Sequence, residues 1–290
     1  MRGIVVVGDA ALDVIARHDK PLPHGGDARA KIRFTGGGAG ANTALWLRHL
    51  GAETTLLARI GDDPGGRLIK AELEAAGVRC AFSVDPEAPT CCVVVMVDGS
   101  GQRSMLADRG ANQRFAPEDV TPEALAGASH LHLSGYVLLD PPSRAAGLAA
   151  LAAAKEAGLT TSVDPQAAAH ITDPAAFLAD VRGVDLLMPN TEELVALTGS
   201  ADPVSAKELL GTVGAVVVTA GLAGASWVDA GGVTSVPAIE ADCVDSTGAG
   251  DAFDAGVLTG WLAEESTVDV LRHGTRLGAL AVGKVGPQPS

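Results

Sequence analysis

Residues 245–256 read Asp-Ser-Thr-Gly-Ala-Gly-Asp-Ala-Phe-Asp-Ala-Gly. A Gly-Ala-Gly turn leads into the carboxylate of Asp251, and apolar residues follow at helical spacing as far as Leu262. Glycine lets the backbone approach a ligand, and the first N–H groups of a helix are unpaired, so the turn predicts an anion site. A carboxylate beside a bound anion is electrostatically unfavourable, so we expect a carboxylate at this position to take part in proton transfer. The alternative is that Asp251 only caps the helix.

The composition excludes several classes of partner. The chain has 290 residues, 47% of them hydrophobic, and a formal charge of −14. We expect no binding to nucleic acid or to an anionic membrane surface, because both attract clustered Lys and Arg. The four cysteines fit no metal-binding spacing and favour reduced thiols in a cytoplasmic protein. The apolar run Ile4 to Val7 is too short for a signal peptide or a membrane span and predicts a strand.

Alternating segments predict the fold class. From residue 128 onward, β-prone runs alternate with helical patterns, which is typical of a parallel sheet covered by helices on both faces. The predicted strands are 130–133, 160–163, 186–188 and 216–218, and the predicted helices are 143–157, 191–198 and 203–210. Earlier in the chain, Asp63 is expected to cap a helix that ends at Gly77. The run 91–97, followed by a turn at 98–101, predicts a hairpin.

Residues 36–42, Gly-Gly-Gly-Ala-Gly-Ala-Asn, form a second glycine-rich motif before a predicted helix. A dinucleotide fingerprint would follow the first strand and would have an acid at the end of the next one. Here the first strand ends at Gly8 and the next ends at Arg59-Ile60-Gly61, which disfavours that interpretation. The remaining alternatives are a purely structural turn and a substrate-binding turn.

Acidic residues follow two predicted strands. Asp9 and Asp13 come after the first strand, at the edge where parallel sheets bind ligands, and carboxylates can accept hydrogen bonds from a polyol. They could also be ordinary loop carboxylates. Asn190 and Glu193 follow another strand with the spacing of a capping box, which any helix start can use.

Residues 36–42 and 245–251 resemble the two signatures of the ribokinase-like (PfkB) carbohydrate kinases, and the resemblance extends from residue 4 to residue 290. It implies a three-layer α/β/α fold with a mostly parallel central sheet and a small β-lid. The large domain would comprise residues 1–13, 36–90 and 109–290, and the lid residues 14–35 and 91–108. It also implies that Asp251 is the base that deprotonates the substrate hydroxyl. The N–H groups of Gly248, Ala249 and Gly250 would then form the anion hole.

The resemblance also implies roles for other residues. The sugar would be bound by Asp9, Asp13, Gly37, Gly38 and Asn42. Apart from the resemblance, Arg109 is a cation near the end of the expected lid that could meet an acidic sugar or be an ordinary surface residue. The nucleotide would be bound by Asn190, Thr219, Gly221 and Gly224. Glu193 would help to position Mg²⁺, directly or through water. A monovalent cation such as K⁺ would be held by Asp245, Thr247, Gly286 and Ser290.

The sequence departs from ribokinases at three places, one of which corresponds to a Glu that contacts the sugar. Ser134 and Gly135 stand where ribokinases have a Glu that touches ribose, Ala39 replaces a Lys, and Ala168 replaces the Arg of a D-P-N-x-R motif. We therefore predict an ATP- and Mg²⁺-dependent kinase of a small sugar or sugar-like polyol, able to form a homodimer through the lid. The alternatives are a nucleoside kinase of the same family, a non-catalytic sugar or nucleotide sensor, and a dinucleotide oxidoreductase.

Overall fold

The computed structural model describes residues 3–19, 22–99 and 102–289. Its strands, numbered along the chain, are β1 (Gly3–Val7), β2 (Ala11–Arg17), β3 (Lys31–Gly37), β4 (Thr54–Gly61), β5 (Arg79–Asp85), β6 (Cys91–Val97), β7 (Arg103–Asp108), β8 (Ala128–Ser134), β9 (Thr160–Asp164), β10 (Leu186–Leu187), β11 (Ala215–Thr219), β12 (Ala225–Asp229) and β13 (Gly232–Val236). Its α-helices are α1 (Ala39–His49), α2 (Pro64–Ala75), α3 (Pro122–Leu125), α4 (Tyr136–Leu139), α5 (Arg144–Glu156), α6 (Pro174–Asp180), α7 (Thr191–Thr198), α8 (Ala249–Leu262) and α9 (Thr267–Val282). Short 3₁₀ helices lie at Gly110–Arg114, Pro117–Asp119, Ala168–His170, Pro203–Gly211 and Gly221–Ala223.

The larger sheet contains nine strands in the order β13-β12-β11-β10-β9-β8-β1-β4-β5. Every neighbouring pair from β11 to β5 is parallel, and β12 and β13 are added antiparallel. Parallel strands bring their C-terminal ends to one edge, so the loops after β1, β8, β9 and β11 meet there. The predicted α/β fold with a mostly parallel sheet is confirmed.

Helices cover both faces of this sheet, as the alternation along β1 requires. Ile4 and Val6 belong to a core with α1, α2, α8 and α9, whereas Val5 and Val7 belong to a core with α5, α6 and α7. Successive side chains of a strand point to opposite faces, so one strand can supply two cores. The result is the expected three-layer α/β/α arrangement.

A smaller four-stranded sheet has the order β3-β2-β6-β7. The predicted hairpin is its β6–β7 pair, in which the Asp98 N–H donates to the Gln102 carbonyl oxygen at 3.0 Å. Strand β2 begins before residue 14 and β3 ends after residue 35, so this sheet extends beyond the segments expected for a lid. Asp13 consequently lies on a strand of the smaller sheet.

Several local features differ from the sequence-based expectation. Residues 203–210 were expected to form an ordinary helix and instead lie in a 3₁₀ helix. Strand β5 was not predicted, because it is a partly exposed edge strand without a regular apolar pattern. The hairpin β12–β13 was missed as well. By contrast, the predicted cap of α2 is confirmed, with Asp63 Oδ1 accepting from the Gly66 N–H at 2.8 Å. Among the described residues, no helix is both long and apolar enough to cross a membrane.

Candidate active site

The predicted glycine turn forms the N-terminus of α8 at the C-terminal edge of the larger sheet. Gly248 precedes the helix with φ 74°, a left-handed conformation that glycine adopts without strain. Gly250 faces open space, because a Cβ added there would meet nothing within 4 Å. The Ala249 N–H lies 3.3 Å from the Ser246 carbonyl oxygen and is thus partly used within the turn. No side chain caps this helix, so Asp251 does not act as the cap that its position could have suggested.

Asp251 is buried in the first turn of α8 and contacts the second glycine-rich motif. Its Oδ2 accepts a hydrogen bond from Asn42 Nδ2 at 2.9 Å, although the two residues are far apart in the sequence. Burial raises the pKa of Asp251 to about 7, and hydrogen bonds from Asn42 and Gln166 partly oppose this increase. A buried carboxyl whose pKa lies near neutrality is suited to accept a proton at physiological pH.

Four carboxyl groups line a cavity of about 180 Å³ beside this helix: Asp164, Glu193, Asp251 and Asp254. Asp254 is 2% exposed, forms a hydrogen bond with Asp164, and has no partner at Oδ2. Burial raises the pKa of Asp164 to about 6, and burial together with the neighbouring acids raises that of Asp254 well above its ordinary value. No lysine or arginine is among the described residues that line this cavity.

Asn190 and Glu193 form the capping box that their spacing predicts at the start of α7. Asn190 Oδ1 accepts from the Glu193 N–H at 2.9 Å, and Glu193 Oε2 accepts from the Asn190 N–H at 2.8 Å. Glu193 is nevertheless buried and lines the acidic cavity, and burial raises its pKa to about 8. Glu193 therefore takes part in the cap of α7, and its carboxyl also lies beside the other three acids of the cavity.

Three of the four residues predicted to bind a nucleotide line a second cavity of about 460 Å³, whereas Asn190 lines the acidic cavity. Thr219, Gly221 and Gly224 form one wall, and Thr219 and Gly250 line both cavities, which are therefore adjacent. The wall also contains apolar side chains and carries no charged side chain among the described residues. Gly224 ends a hairpin turn with φ 93°, where a Cβ would clash with the Val236 carbonyl oxygen. This shape suits an uncharged planar group at one end and a charged chain leading to Gly250.

The turn at residues 36–38 lies against the carboxylates that follow β1. Gly38 has φ 96°, and a Cβ there would come within 2.6 Å of the Asp9 carbonyl oxygen. A Cβ on Gly37 would clash with the Asp13 carboxylate. Burial raises the pKa of Asp13 to about 6. The glycines thus allow the backbone to lie beside Asp13, as a substrate-binding turn requires.

Arg109 follows β7 and pairs with two carboxylates of the larger domain. Its Nη1 lies 2.6 Å from Asp9 Oδ2, and its Nε lies 2.9 Å from Asp140 Oδ2. Its guanidinium carbon is 5.0 Å from the centre of the Tyr136 ring. Arg109 is therefore not an isolated surface residue, and its charge is compensated by the two acids.

Three of the four residues predicted to hold a monovalent cation lie together. Asp245 Oδ1 accepts from the Thr247 hydroxyl at 2.7 Å, and Asp245 Oδ2 accepts from the Gly286 N–H at 3.1 Å. Ser290 lies outside the described residues. The described residues contain no group of three His, Cys, Asp or Glu side chains that could hold a metal ion.

Sequence reasoning left Asp164, Gln166, Asp254 and Asp140 out of the site. Asp164-Pro165-Gln166 is the start of the D-P-N-x-R-like segment in which Ala168 replaces the Arg, and no role was predicted for these three residues. Asp254 offered a usable signal, because it interrupts an otherwise apolar helical face three residues after Asp251. Asp140 offered none, since its partner Arg109 is distant in the sequence.

The chain matches the pfkB family carbohydrate kinases across residues 1–290, and it belongs to that family. It is 32% identical over 287 residues to an ATP-dependent ribose-1-phosphate kinase of Halopiger xanaduensis, covering 98% of this chain and 93% of the relative. It is 34% identical over 271 residues to a fructokinase of Klebsiella pneumoniae, covering 90% and 84%. The crystal structure of adenosine kinase from Sinorhizobium meliloti superposes with a TM-score of 0.89 at 25% identity, covering 99% and 96%. The chain is accordingly an ATP-binding phosphotransferase that acts on a hydroxyl group of a sugar or nucleoside.

Proposed function

We propose that the protein transfers the γ-phosphoryl group of ATP to a hydroxyl of a small sugar or sugar-like polyol, with Asp251 as general base. The observation that carries this proposal is the 2.9 Å hydrogen bond between Asn42 and Asp251, which joins the sugar-binding turn to the glycine turn of α8. The substrate hydroxyl would lie between these motifs, where Asp251 accepts its proton as the oxygen attacks phosphorus.

The N-terminus of α8 is suited to receive the transferred phosphoryl group. The first-turn N–H groups and the positive end of the helix dipole favour an anion beside Gly248, Ala249 and Gly250. The open space at Gly250 leaves room for phosphoryl oxygens against the backbone. Since the Ala249 N–H already lies near Ser246, we expect Gly248 and Gly250 to contribute more strongly to the anion hole.

ATP would lie along the 460 Å³ cavity, with its base among the apolar side chains and its phosphates directed toward Gly250. The backbone at Gly221 and Gly224 and the side chains of Asn190 and Thr219 would line its path. An acidic wall and an anionic nucleotide repel each other unless a cation lies between them. Mg²⁺ prefers oxygen ligands and keeps several waters, so the carboxyl of Glu193, directly or through water, fits this requirement.

The substrate site favours a neutral polyol. Asp13 and Asn42 offer hydrogen-bonding groups, whereas the Asp9–Arg109–Asp140 cluster carries one cation against two carboxylates. A sugar phosphate would meet this excess of negative charge. We therefore expect an unphosphorylated sugar to be preferred, even though the Halopiger relative is named for ribose 1-phosphate.

A nucleoside is the second candidate substrate, and Tyr136 is the observation that favours it. This half-buried ring packs against Arg109, and the charges of Asp9 and Asp251 act on its hydroxyl. An aromatic ring at a substrate pocket can stack on a nucleobase. The adenosine kinase from S. meliloti has the same fold.

A substrate screen tests these assignments. ADP release should be followed with free hexoses and pentoses, with their phosphates, and with nucleosides, each at equal Mg²⁺ and ATP. We expect turnover with at least one free sugar. Turnover restricted to nucleosides would replace the sugar assignment, and the absence of turnover on every hydroxyl compound would favour the sensor alternative.

A monovalent cation, a cytoplasmic location and a homodimer complete the proposal. Asp245, Thr247 and Gly286 would hold K⁺ beside the anion hole.

The dimer would form through the smaller sheet, because a cross-strand row of apolar residues runs Phe34–Val14–Val94–Leu106. Phe34 is 60% and Leu106 is 63% exposed. Charge substitution of Phe34 should convert a dimer into a monomer in light scattering, whereas a wild-type monomer would contradict the proposal.

A further inference from the structure

Gln166 has a backbone conformation that its side chain does not favour. Its φ is 71°, and among the described non-glycine residues only Glu264, with φ 58°, shares a positive φ. A positive φ destabilises the backbone of a residue that carries a Cβ, and such a conformation persists only where the surrounding structure enforces it. The enforcing contacts are visible: the Gln166 N–H donates to Asp164 Oδ1 at 3.0 Å, and the preceding backbone packs against Gly135.

This conformation directs the Gln166 side chain into the acidic cavity. Its Nε2 donates to Asp164 Oδ2, and its amide lines the same cavity as Asp251, where it lowers the pKa of that carboxyl. Asn42 Nδ2 donates to Asp251 from α1, on a different element. Two amides from separate elements therefore act on the carboxyl of Asp251, Asn42 by a direct hydrogen bond and Gln166 from its place beside Asp164.

We propose that Gln166 is a positioning residue whose side-chain amide, fixed by a strained backbone and by its hydrogen bond to Asp164, faces the cavity of Asp251 and orients the general base. This inference rests on the proposed function in taking Asp251 as the base. The amide has a specific purpose in this cavity, because the neighbouring carboxyl groups of Asp164 and Asp254 disfavour a charge on Asp251. A neutral donor beside these carboxyl groups offsets part of that repulsion without adding a positive charge that would compete with a metal ion.

Several groups set the protonation of Asp251. Asn42 donates to it and the Gln166 amide lowers its pKa, whereas Asp9 and Asp164 raise its pKa from neighbouring elements, and Asp254 lies beyond it on the same helix. The Tyr136 hydroxyl also senses the charge of Asp251. Because Gln166 favours the ionised carboxylate, its removal should shift the Asp251 titration to higher pH by about one unit.

Two variants separate the amide from the strain. Gln166→Gly removes the side chain and relieves the backbone, whereas Gln166→Met keeps the chain length and the strain but removes the donor. Glu264→Gly is the matched control, because it relieves a positive φ at an exposed residue just beyond α8. Titration of the Asp251 carboxyl by ¹³C NMR, assigned with Asp251→Asn, measures the effect without relying on turnover.

We expect both Gln166 variants to raise the pH at which Asp251 is half titrated. The acid limb of the pH profile of kcat/KM should move to higher pH by the same amount. Gln166→Gly should unfold at or above the wild-type temperature, and Glu264→Gly should leave the titration and the kinetics unchanged. Wild-type midpoints in both Gln166 variants would overturn the inference. If wild-type protein phosphorylated no substrate while the midpoint still moved, the effect of Gln166 on Asp251 would stand and the proposed function would fail.

Discussion

Replacement of Asp251 by Asn should abolish turnover and, at the same time, make the fold more stable. Asn matches Asp in size, so the helix and the contact with Asn42 can be kept, but it cannot accept the proton of the substrate hydroxyl. Loss of a general base costs about 10²–10⁴ in rate. Nucleotide affinity should change little, because Asp251 does not line the larger cavity.

The stability gain follows from the sign of the pKa shift. Burial raises the pKa of Asp251 from 3.8 to about 7, so this carboxyl favours folding most below its unfolded pKa. That contribution is lost as pH rises through about 7, and at about 1.4 kcal/mol per pKa unit the penalty at pH 8 is on the order of 4 kcal/mol. Asn carries no such penalty. The variant should therefore melt at a higher temperature than wild type at pH 8, with a much smaller difference at pH 5.

The assay combines steady-state kinetics with thermal unfolding at the two pH values, and Asp254→Asn serves as the matched control. Asp254 lies on the same helix and is also buried, but it hydrogen-bonds Asp164 rather than Asn42. An Asn can still donate to Asp164, so we expect a smaller loss of kcat. The base assignment is refuted if Asp251→Asn retains more than about a tenth of wild-type kcat. A lower melting temperature at pH 8 would refute the argument from burial.

Three further predictions concern other parts of the site. Asp13→Ala should raise the KM for the sugar far more than that for ATP, because an unpaired buried hydroxyl costs about 1–3 kcal/mol; equal effects on both substrates in initial-rate kinetics would argue against it. Glu193→Gln should raise the Mg²⁺ requirement without lowering the melting temperature, since Gln also completes the capping box with Asn190 and replaces a buried acid whose pKa is raised; identical rates at every Mg²⁺ concentration would leave only the cap. Addition of K⁺ at constant ionic strength should increase the rate if Asp245 and Thr247 hold a cation; equal rates in Na⁺-free Tris with and without K⁺ or its analogues would eliminate that site.

The local elements were predictable where one short segment determines them. Asp63 caps α2 as its position before Pro64 indicates, and α7 begins at Thr191 after its predicted cap. Strands that are buried on both faces, such as β1 and β11, read as unbroken apolar runs. Edge elements such as β5 carry a mixed pattern, because only part of their surface is buried, and the sequence offers no comparable signal for them.

The glycine motifs could be recognised from the sequence, but their contact could not. Asn42 was expected to bind a substrate hydroxyl, and its Nδ2 donates to Asp251 across the helix pair α1–α8. Its Oδ1 is buried without a partner, so it remains available to a hydroxyl. Only the packing of the two helices reveals that one amide can serve both the base and the substrate. A residue's chemical type was thus readable from the sequence, whereas its number of partners depended on the fold.

The acidic cavity predicts that bound ligands change the charge state of the site. Asp164, Glu193 and Asp254 line the same cavity as Asp251 without a lysine or arginine among the described lining residues, and burial raises the pKa of each of these carboxyl groups. A cation arriving with the nucleotide would favour the ionised carboxyl groups and release the protons that they hold. The Asp251 carboxyl would then have its highest pKa before the cation arrives, and it would be most completely ionised after the cation has bound. Binding of the metal–nucleotide complex would in this way prepare the base for the substrate hydroxyl, which links the order of binding to the chemistry.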